Sequence, residues 1–275
     1  MGVSEKIELA VNYSPQAAEL VRSGAVEVDR FKCPPWPGLI AEAERLRPAY
    51  VHFDFQAAQG RPTNEALERA DALRRSTRTP WVNTHFAPLR SELEGAAERG
   101  ELALERALAD VAVLTRRFGP EEVVIENVPW EPSAEYELDR VGADPELVRR
   151  LVEESGAGFL LDLAHARFAA EELGTPLEGY LEALPVERVR ELHVTGLGHD
   201  ATGRRRDHLP LTGRDVEILE GALDHVAEGR WARPWAVALE YGGVGEVFEW
   251  RSDPEVLAED LPRVAALLAE RGLRE

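Results

Sequence analysis

The sequence predicts an α/β protein, specifically a single-domain (β/α)8 TIM barrel over residues 1–275. Three observations carry that expectation. Short apolar runs alternate with longer amphipathic ones along the whole chain, as in a parallel sheet covered by helices. Each kind occurs eight times, the count that closes a barrel. Polar residues able to do chemistry recur where the short runs end, the rim at which barrel active sites are built.

The strand candidates are 7–12, 26–32, 50–55, 81–86, 122–127, 158–162, 189–195 and 236–241. Helical patterns fall at 14–23, 38–46, 63–76, 89–118, 145–155, 176–183, 214–227 and 253–271. Ser14-Pro15 and Asp253-Pro254 read as a cap followed by a first-turn proline; Thr63-Asn64-Glu65 and Asp144-Pro145-Glu146 share that character. Gly119-Pro120 stops the longest helical pattern. The polar segment 196–213 shows no periodicity and is expected to be the loop after the seventh strand, on the active-site face.

Composition narrows the function classes. A chain of 275 residues can bury a large core without covalent staples, and a lone Cys33 forms no internal disulfide, which suits a reducing cytoplasm. The opening MGVSEKIELA lacks a basic region followed by an apolar run. No stretch approaches the roughly 20 apolar residues of a membrane span, so a cytoplasmic location is expected. With 51 acidic against 32 basic residues and a formal charge of −19, the surface repels a phosphate backbone. Nucleic acid is therefore not the expected partner, although a metal cluster and a local basic patch can invert the field where they sit.

The functional signal is where histidines and carboxylates fall. His52, His85, His165 and His193 lie in or at the ends of expected strands, with Asp54, Glu126, Asp162 and Glu240 at matching places. His199, Asp207 and His208 follow the seventh strand, and His225 belongs to a helix surface. Ionised groups at the ends of buried strands need partners or a metal. Mixed imidazole and carboxylate donors suit Fe, Mn, Zn or Co better than Ca or Mg. His52 and Asp54 are two apart and share a strand face, as do Asn83 and His85; Asp54 and Asn83 fit the role of orienting ligand imidazoles. Glu126 can bridge two ions, one per oxygen. Arg204, Arg205 and Arg206 form a basic cluster before Asp207 that either contacts a substrate anion or balances the acidic surface. Trp36, Trp81 and Trp130 either line the pocket or pack in the core, the latter favoured for Trp81. Gly242-Gly243 reads as a tight turn or a small anion nest.

The ordered series His85, Glu126, Asp162-x-x-His165, His193, His208 and Glu240 resembles the metal-binding set of the xylose isomerase-like barrel superfamily. That superfamily includes sugar isomerases and epimerases and trinuclear-zinc apurinic endonucleases. Within it, IEN at 125–127, GFLLDLAH at 158–165 and ELHVTG at 191–196 look like the multinuclear non-heme iron-dependent oxidative enzymes, long catalogued as a family of unknown function. This resemblance implies two or three irons bridged by Glu126, with Asp162, His193 and Glu240 as ligands and His52 and His85 completing the first site. It also implies oxidation of cysteines in ribosomally made peptides, commonly with a partner protein that presents the peptide. Two departures stand out: His165 replaces the family's usual asparagine, and Arg206-Asp207-His208-Leu209-Pro210 replaces its usual Asp-Thr-His-Gly. His208 is favoured over Asp207 as the ligand there.

The expected function is thus a multinuclear iron oxidative enzyme on a small molecule or peptide. The alternative is a Mn-, Zn- or Co-dependent sugar or sugar-phosphate isomerase or epimerase, in which Glu126 and Glu240 also exchange a proton and His208 assists. A metal-dependent hydrolase and a binding protein with a decayed site are further alternatives.

Overall fold

The computed structural model describes residues 6–133, 136–200, 203–245 and 251–274. The first five residues and Ala201–Thr202, on which parts of the sequence reading fall, lie outside them. The chain divides into two compact units, one made of Met1–Val51 with Arg190–Glu275 and the other of His52–Val189.

In chain order the first unit opens with β1 (Glu8–Asn12), α1 (Pro15–Ser23), β2 (Arg30–Cys33), α2 (Pro37–Ala43) and β3 (Ala49–Val51). The second unit holds β4 (Phe55–Ala57), α3 (Asn64–Thr77), β5 (Val82–Phe86), α4 (Arg90–Leu93), α5 (Arg99–Phe118), β6 (Val123–Glu126), α6 (Pro145–Ser155), β7 (Gly158–Asp162), α7 (Leu163–Leu173) and α8 (Leu177–Ala183). The first unit resumes with β8 (Val189–Val194), β9 (Gly196–His199), β10 (Arg205–Leu209), α9 (Gly213–Ala227), β11 (Ala236–Leu239) and α10 (Pro254–Glu270).

Within the first unit the strands lie in the order β3-β2-β1-β11-β8, and every pair is parallel. Within the second the order is β4-β5-β6-β7, again all parallel. Their apolar residues are almost fully buried, as expected of parallel strands covered by helices. Parallel pairing puts all carboxyl ends of a unit's strands at one edge, and the candidate residues sit at that edge.

The caps explain the boundaries. Ser14, Thr63, Asp144 and Asp253 each accept a backbone N–H of the first helical turn, and Thr212 and Asp215 form a reciprocal capping box at α9.

Four expectations need correction. The third strand is not continuous: β3 ends at Val51 and β4 begins at Phe55. The cause is Asn83, whose Oδ1 accepts the Phe53 N–H at 2.6 Å while its Nδ2 donates to the Phe53 carbonyl at 3.0 Å, replacing ladder bonds with a side chain. The second strand begins at Arg30, not at residue 26. The long helical pattern 89–118 is two helices, α4 and α5, separated at Gly95, whose φ of +78° lies in the left-handed region. The segment 196–213 is no open loop: β9 and β10 form an antiparallel ribbon. Its base tolerates only glycine at 196, because a Cβ there would lie 1.9 Å from the Pro210 carbonyl oxygen. Residues 163–173, unassigned in the sequence reading, form α7.

Asn127 repeats the arrangement of Asn83. Its Nδ2 donates to the Asp162 carbonyl and its Oδ1 accepts the Asp162 N–H, both at 2.9 Å. Replacing Asn83 by leucine keeps the volume but strands two backbone groups of Phe53. Urea denaturation of the Asn83→Leu protein is expected to show a loss of about 2–4 kcal/mol; an unchanged midpoint would remove the clamp from the account.

Candidate metal centre

In the second unit the donors gather around Glu126, the last residue of β6, which is 1% exposed. His85 Nε2 lies 3.1 Å and His52 Nε2 3.5 Å from Glu126 Oε2. His165 approaches Oε1 at 3.8 Å through Nδ1. Donor atoms of Glu126, Asp162 and His165 all lie within 4.8 Å of one another. Asp162 ends β7 and caps α7: its Oδ1 accepts the His165 N–H at 2.8 Å, and its Oδ2 stands 3.9 Å from His165 Nε2. The Asp-x-x-His spacing therefore spans a strand end and the first helical turn, so one carboxylate both starts the helix and faces the imidazole.

In the first unit, Glu240 follows β11 and is buried. Its Oε1 is 3.3 Å from His193 Nδ1 and is ion-paired with the Lys32 ammonium. His193 Nε2 donates to Glu191 Oε1 at 2.8 Å, and the Tyr50 hydroxyl donates to the same oxygen at 2.7 Å. Burial works against the Glu191 charge, but the His193 hydrogen bond and charge, then Lys32 and Tyr50, outweigh it and hold the carboxyl below its ordinary range. His208, at φ +56° within the irregular stretch of β10, donates Nδ1–H to the Glu240 carbonyl at 2.7 Å, and its Nε2 lies 3.8 Å from Asp207 Oδ2. A bulge at this point re-aims both side chains.

Hydrogen-bond partners assign the ring tautomers, and the donor set fits a transition-metal site. His165 turns Nδ1 to the Asn127 carbonyl, leaving Nε2 as the donor atom, while His85 Nδ1 lies 3.3 Å from both the Phe55 carbonyl and the Gln56 amide nitrogen and its Nε2 faces Glu126. Like His165, His208 turns Nδ1 to a carbonyl, that of Glu240. His193 is reversed, since Glu191 takes Nε2 and Nδ1 faces Glu240. An imidazole held at one nitrogen and aimed by the other is how metal sites orient their ligands. His52 differs. Asn83, whose orientation Phe53 fixes, donates Nδ2–H to His52 Nε2 at 3.1 Å, so His52 reaches a metal through that atom only by releasing Asn83.

The other candidates fall as follows. Asp54 is exposed, which removes it from the expected inward face beside His52. His199 is exposed at the ribbon tip. His225 is half-buried on α9 and stacks on Trp231 at 4.9 Å and 7°. Arg204 and Arg206 are drawn toward Asp200, which accepts the Arg204 N–H at 3.1 Å and pairs with Arg206 Nε at 3.2 Å; Arg205 is paired with His199 in the ribbon. Trp81 is buried, Trp36 is 48% exposed, and Gly242 makes a turn at φ +116°.

Lys32, Tyr50 and Glu191 were not singled out by the sequence reading. Glu191 carried a signal, being two residues before His193 and so on the same face of β8. Lys32 carried another, as a charge within the buried strand RFKC.

Cys33 is not a donor. Burial, then the charge of Glu44, pushes its thiol up to about 12. The raised value favours the neutral thiol in the folded state. Its contribution to stability is complete below the unfolded thiol value of about 8.5 and declines as pH rises from there toward 12. Native protein at pH 8 is expected to resist iodoacetamide, with Cys33 labelled only on unfolding; rapid native labelling would contradict this.

The two functions of Asp162 separate by substitution. Asp162→Asn keeps an oxygen for the cap and is expected to retain the stability of the metal-free chain, whereas Asp162→Ala is expected to lose about 1 kcal/mol. Both should lower metal content, read by elemental analysis beside thermal melting.

Residues 58–210 match the family described as RiPP precursor modification enzyme MbnB/TglH/ChrH. A UPF0276 protein of Caulobacter sp. (strain K31) is 32% identical over 174 residues, 63% of this chain and 55% of that protein. A UPF0276 protein of Paraburkholderia phytofirmans is 41% identical over 54 residues, 20% of this chain and 18% of its own. The chain thus aligns with about half the length of the curated relatives first matched. Among solved structures, mannonate dehydratase from Streptococcus suis serotype 2 aligns at TM-score 0.58 and 12% identity, covering 98% of this chain and 96% of its own. A putative xylose isomerase from Rhodospirillum rubrum aligns at 0.57 and 15%, covering 96% and 99%. D-psicose 3-epimerase aligns at 0.56 and 11%, covering 97% and 100%. These likenesses show the fold alone, an α/β fold shared with those chains. Among the described residues no helix is long and apolar enough to cross a membrane.

Proposed function

This chain belongs to the MbnB/TglH/ChrH family of RiPP precursor modification enzymes, and on that premise we propose that it is a multinuclear, iron-dependent oxidative enzyme acting on a peptide. The observation that carries the reading is Glu126: it lies buried within the family-matched segment, with His85 Nε2 3.1 Å from its Oε2 and with donor atoms of Glu126, Asp162 and His165 all within 4.8 Å of one another. A carboxylate so placed suits two ions, one per oxygen. The matched segment also contains His85, Asp162, His165, His193, Asp207 and His208. Each unit brings its own strand-end donors to this proposal, Glu126, Asp162 and His165 in the second and His193 and Glu240 in the first. Residue order and full-length alignment to barrel enzymes support it.

His52, His85, Glu126, Asp162, His165, His193, His208 and Glu240 are the residues proposed to hold two or three ions. When bound, iron would supply dioxygen activation. The chain's own groups then have defined tasks. The Asn127 carbonyl and the Glu191 carboxylate hold the rings of His165 and His193 in one tautomer and one orientation, and Phe55 and Gln56 orient the ring of His85. Buried carboxylates supply the negative charge that retains the ions. The arginines of β10 offer a contact for an acidic stretch of peptide, and a partner protein that presents the peptide is part of the proposal.

A second reading is favoured by Asp162-x-x-His165 and by the epimerase and isomerase folds aligned above: a Mn-, Zn- or Co-dependent sugar or sugar-phosphate isomerase. In it Glu126 and Glu240 would exchange a proton with the carbon beside a carbonyl.

Metal analysis of protein purified anaerobically from cells given iron, manganese and zinc together separates the two. Two or three irons per chain, reduced by at least tenfold in His85→Ala and Glu126→Gln, is the expected result. One or two Mn, Zn or Co ions with negligible iron would replace the oxidative reading by the isomerase one.

A further inference from the structure

Lys32 is a cation in the interior of a parallel sheet, where an ammonium needs a partner. It lies on β2 opposite Asn12 of β1, and β1 pairs on its other side with β11, so that Glu240 follows the Val11–Leu239 pair into the same row. Two strand spacings, about 9–10 Å, therefore separate the backbones of Lys32 and Glu240. The two side chains bridge that gap over β1, and both are buried, at 4% and 7% exposure.

Which oxygen the ammonium takes matters. It pairs with Glu240 Oε1, the same atom that lies 3.3 Å from His193 Nδ1. His193 Nδ1 is the nitrogen left for a ligand once Nε2 is committed to Glu191. The ammonium thus occupies the oxygen that an ion shared by His193 and Glu240 would use. A divalent ion and an ammonium on one carboxylate oxygen repel each other in a low-dielectric interior.

We propose that Lys32 is a built-in counterion that holds Glu240 in the metal-free chain and competes with the metal for it, thereby setting how tightly this donor pair loads. The inference rests on the reading of His193 and Glu240 as ligands. Lys32 acts as a positioning residue: it keeps the buried carboxylate in place and neutralised until an ion displaces the ammonium. A purely structural ion pair would stabilise the fold equally with and without metal, and that difference is measurable.

The test uses the full-length chain stripped with a chelator, then titrated with Zn2+ and with Mn2+ against a chelating indicator, alongside thermal melting. Lys32→Met removes the charge at similar length. It is expected to lower the melting temperature of the metal-free protein and to tighten metal binding by roughly tenfold, so that added metal raises its melting temperature more than it does in the unaltered chain. Lys32→Arg, whose guanidinium grips a carboxylate through two hydrogen bonds, is expected to weaken binding severalfold, and it carries the test if the methionine variant does not fold. Unchanged affinity in either folded variant, or weaker binding in Lys32→Met, would overturn the proposal. His193→Ala and Glu240→Gln report on the underlying reading. If both keep the full metal content, that reading fails and the competition fails with it; if both lose metal while the lysine variants bind like the unaltered chain, only the competition fails.

Discussion

Where a parallel strand stops, its last amides and carbonyls still need partners, and this chain meets that need with asparagine side chains. Asn83 and Asn127 each grip one residue of a neighbouring segment by both its N–H and its carbonyl. The same clamps fix what lies beside them. Asn83 sits two residues before His85 and also donates to His52. Asn127 directly follows Glu126, and its own carbonyl takes the His165 ring nitrogen. Backbone satisfaction and donor placement are therefore one network, and polar side chains remain ordered in a buried place because their neighbours leave them no alternative partners.

The negative charge in this network is handled differently in the two units. In the second, Glu126 and Asp162 are surrounded by imidazoles, which are neutral unless protonated. In the first, Glu191 and Glu240 have a permanent cation, Lys32, as well as His193. Carboxylates without a full counter-charge are strong cation sites, whereas those with a lysine in residence are moderated ones.

Much of this was legible in the sequence, for physical reasons that also mark where legibility stops. Buried parallel strands leave short apolar runs, and Ala236–Leu239 and the residues of β7 before Asp162 stand out accordingly. Caps are local, so Ser14, Asp144 and Asp253 could be read from their neighbours. The break after Val51 was not legible, because its cause lies 30 residues away in Asn83. Nor was α7: its apolar residues continue those of β7 without a turn, and only the cap made by Asp162 marks the change. The ribbon escaped because half-buried strands carry no apolar alternation. For the candidate centre, residue types at strand ends pointed to Glu126, Asp162, His193 and Glu240. Lys32, which pairs with Glu240, and Tyr50, which donates to the Glu191 carboxylate beside His193, are brought there only by pairing across strands distant in sequence.

The close approach at Gly196 bears on how such a protein can diversify. The ribbon's base has no room for a single methyl group, while a Cβ at Gly203 would meet nothing within 4 Å. Inherited variation is therefore channelled: position 196 stays glycine, because any side chain there displaces the Pro210 backbone and with it the strand that carries His208.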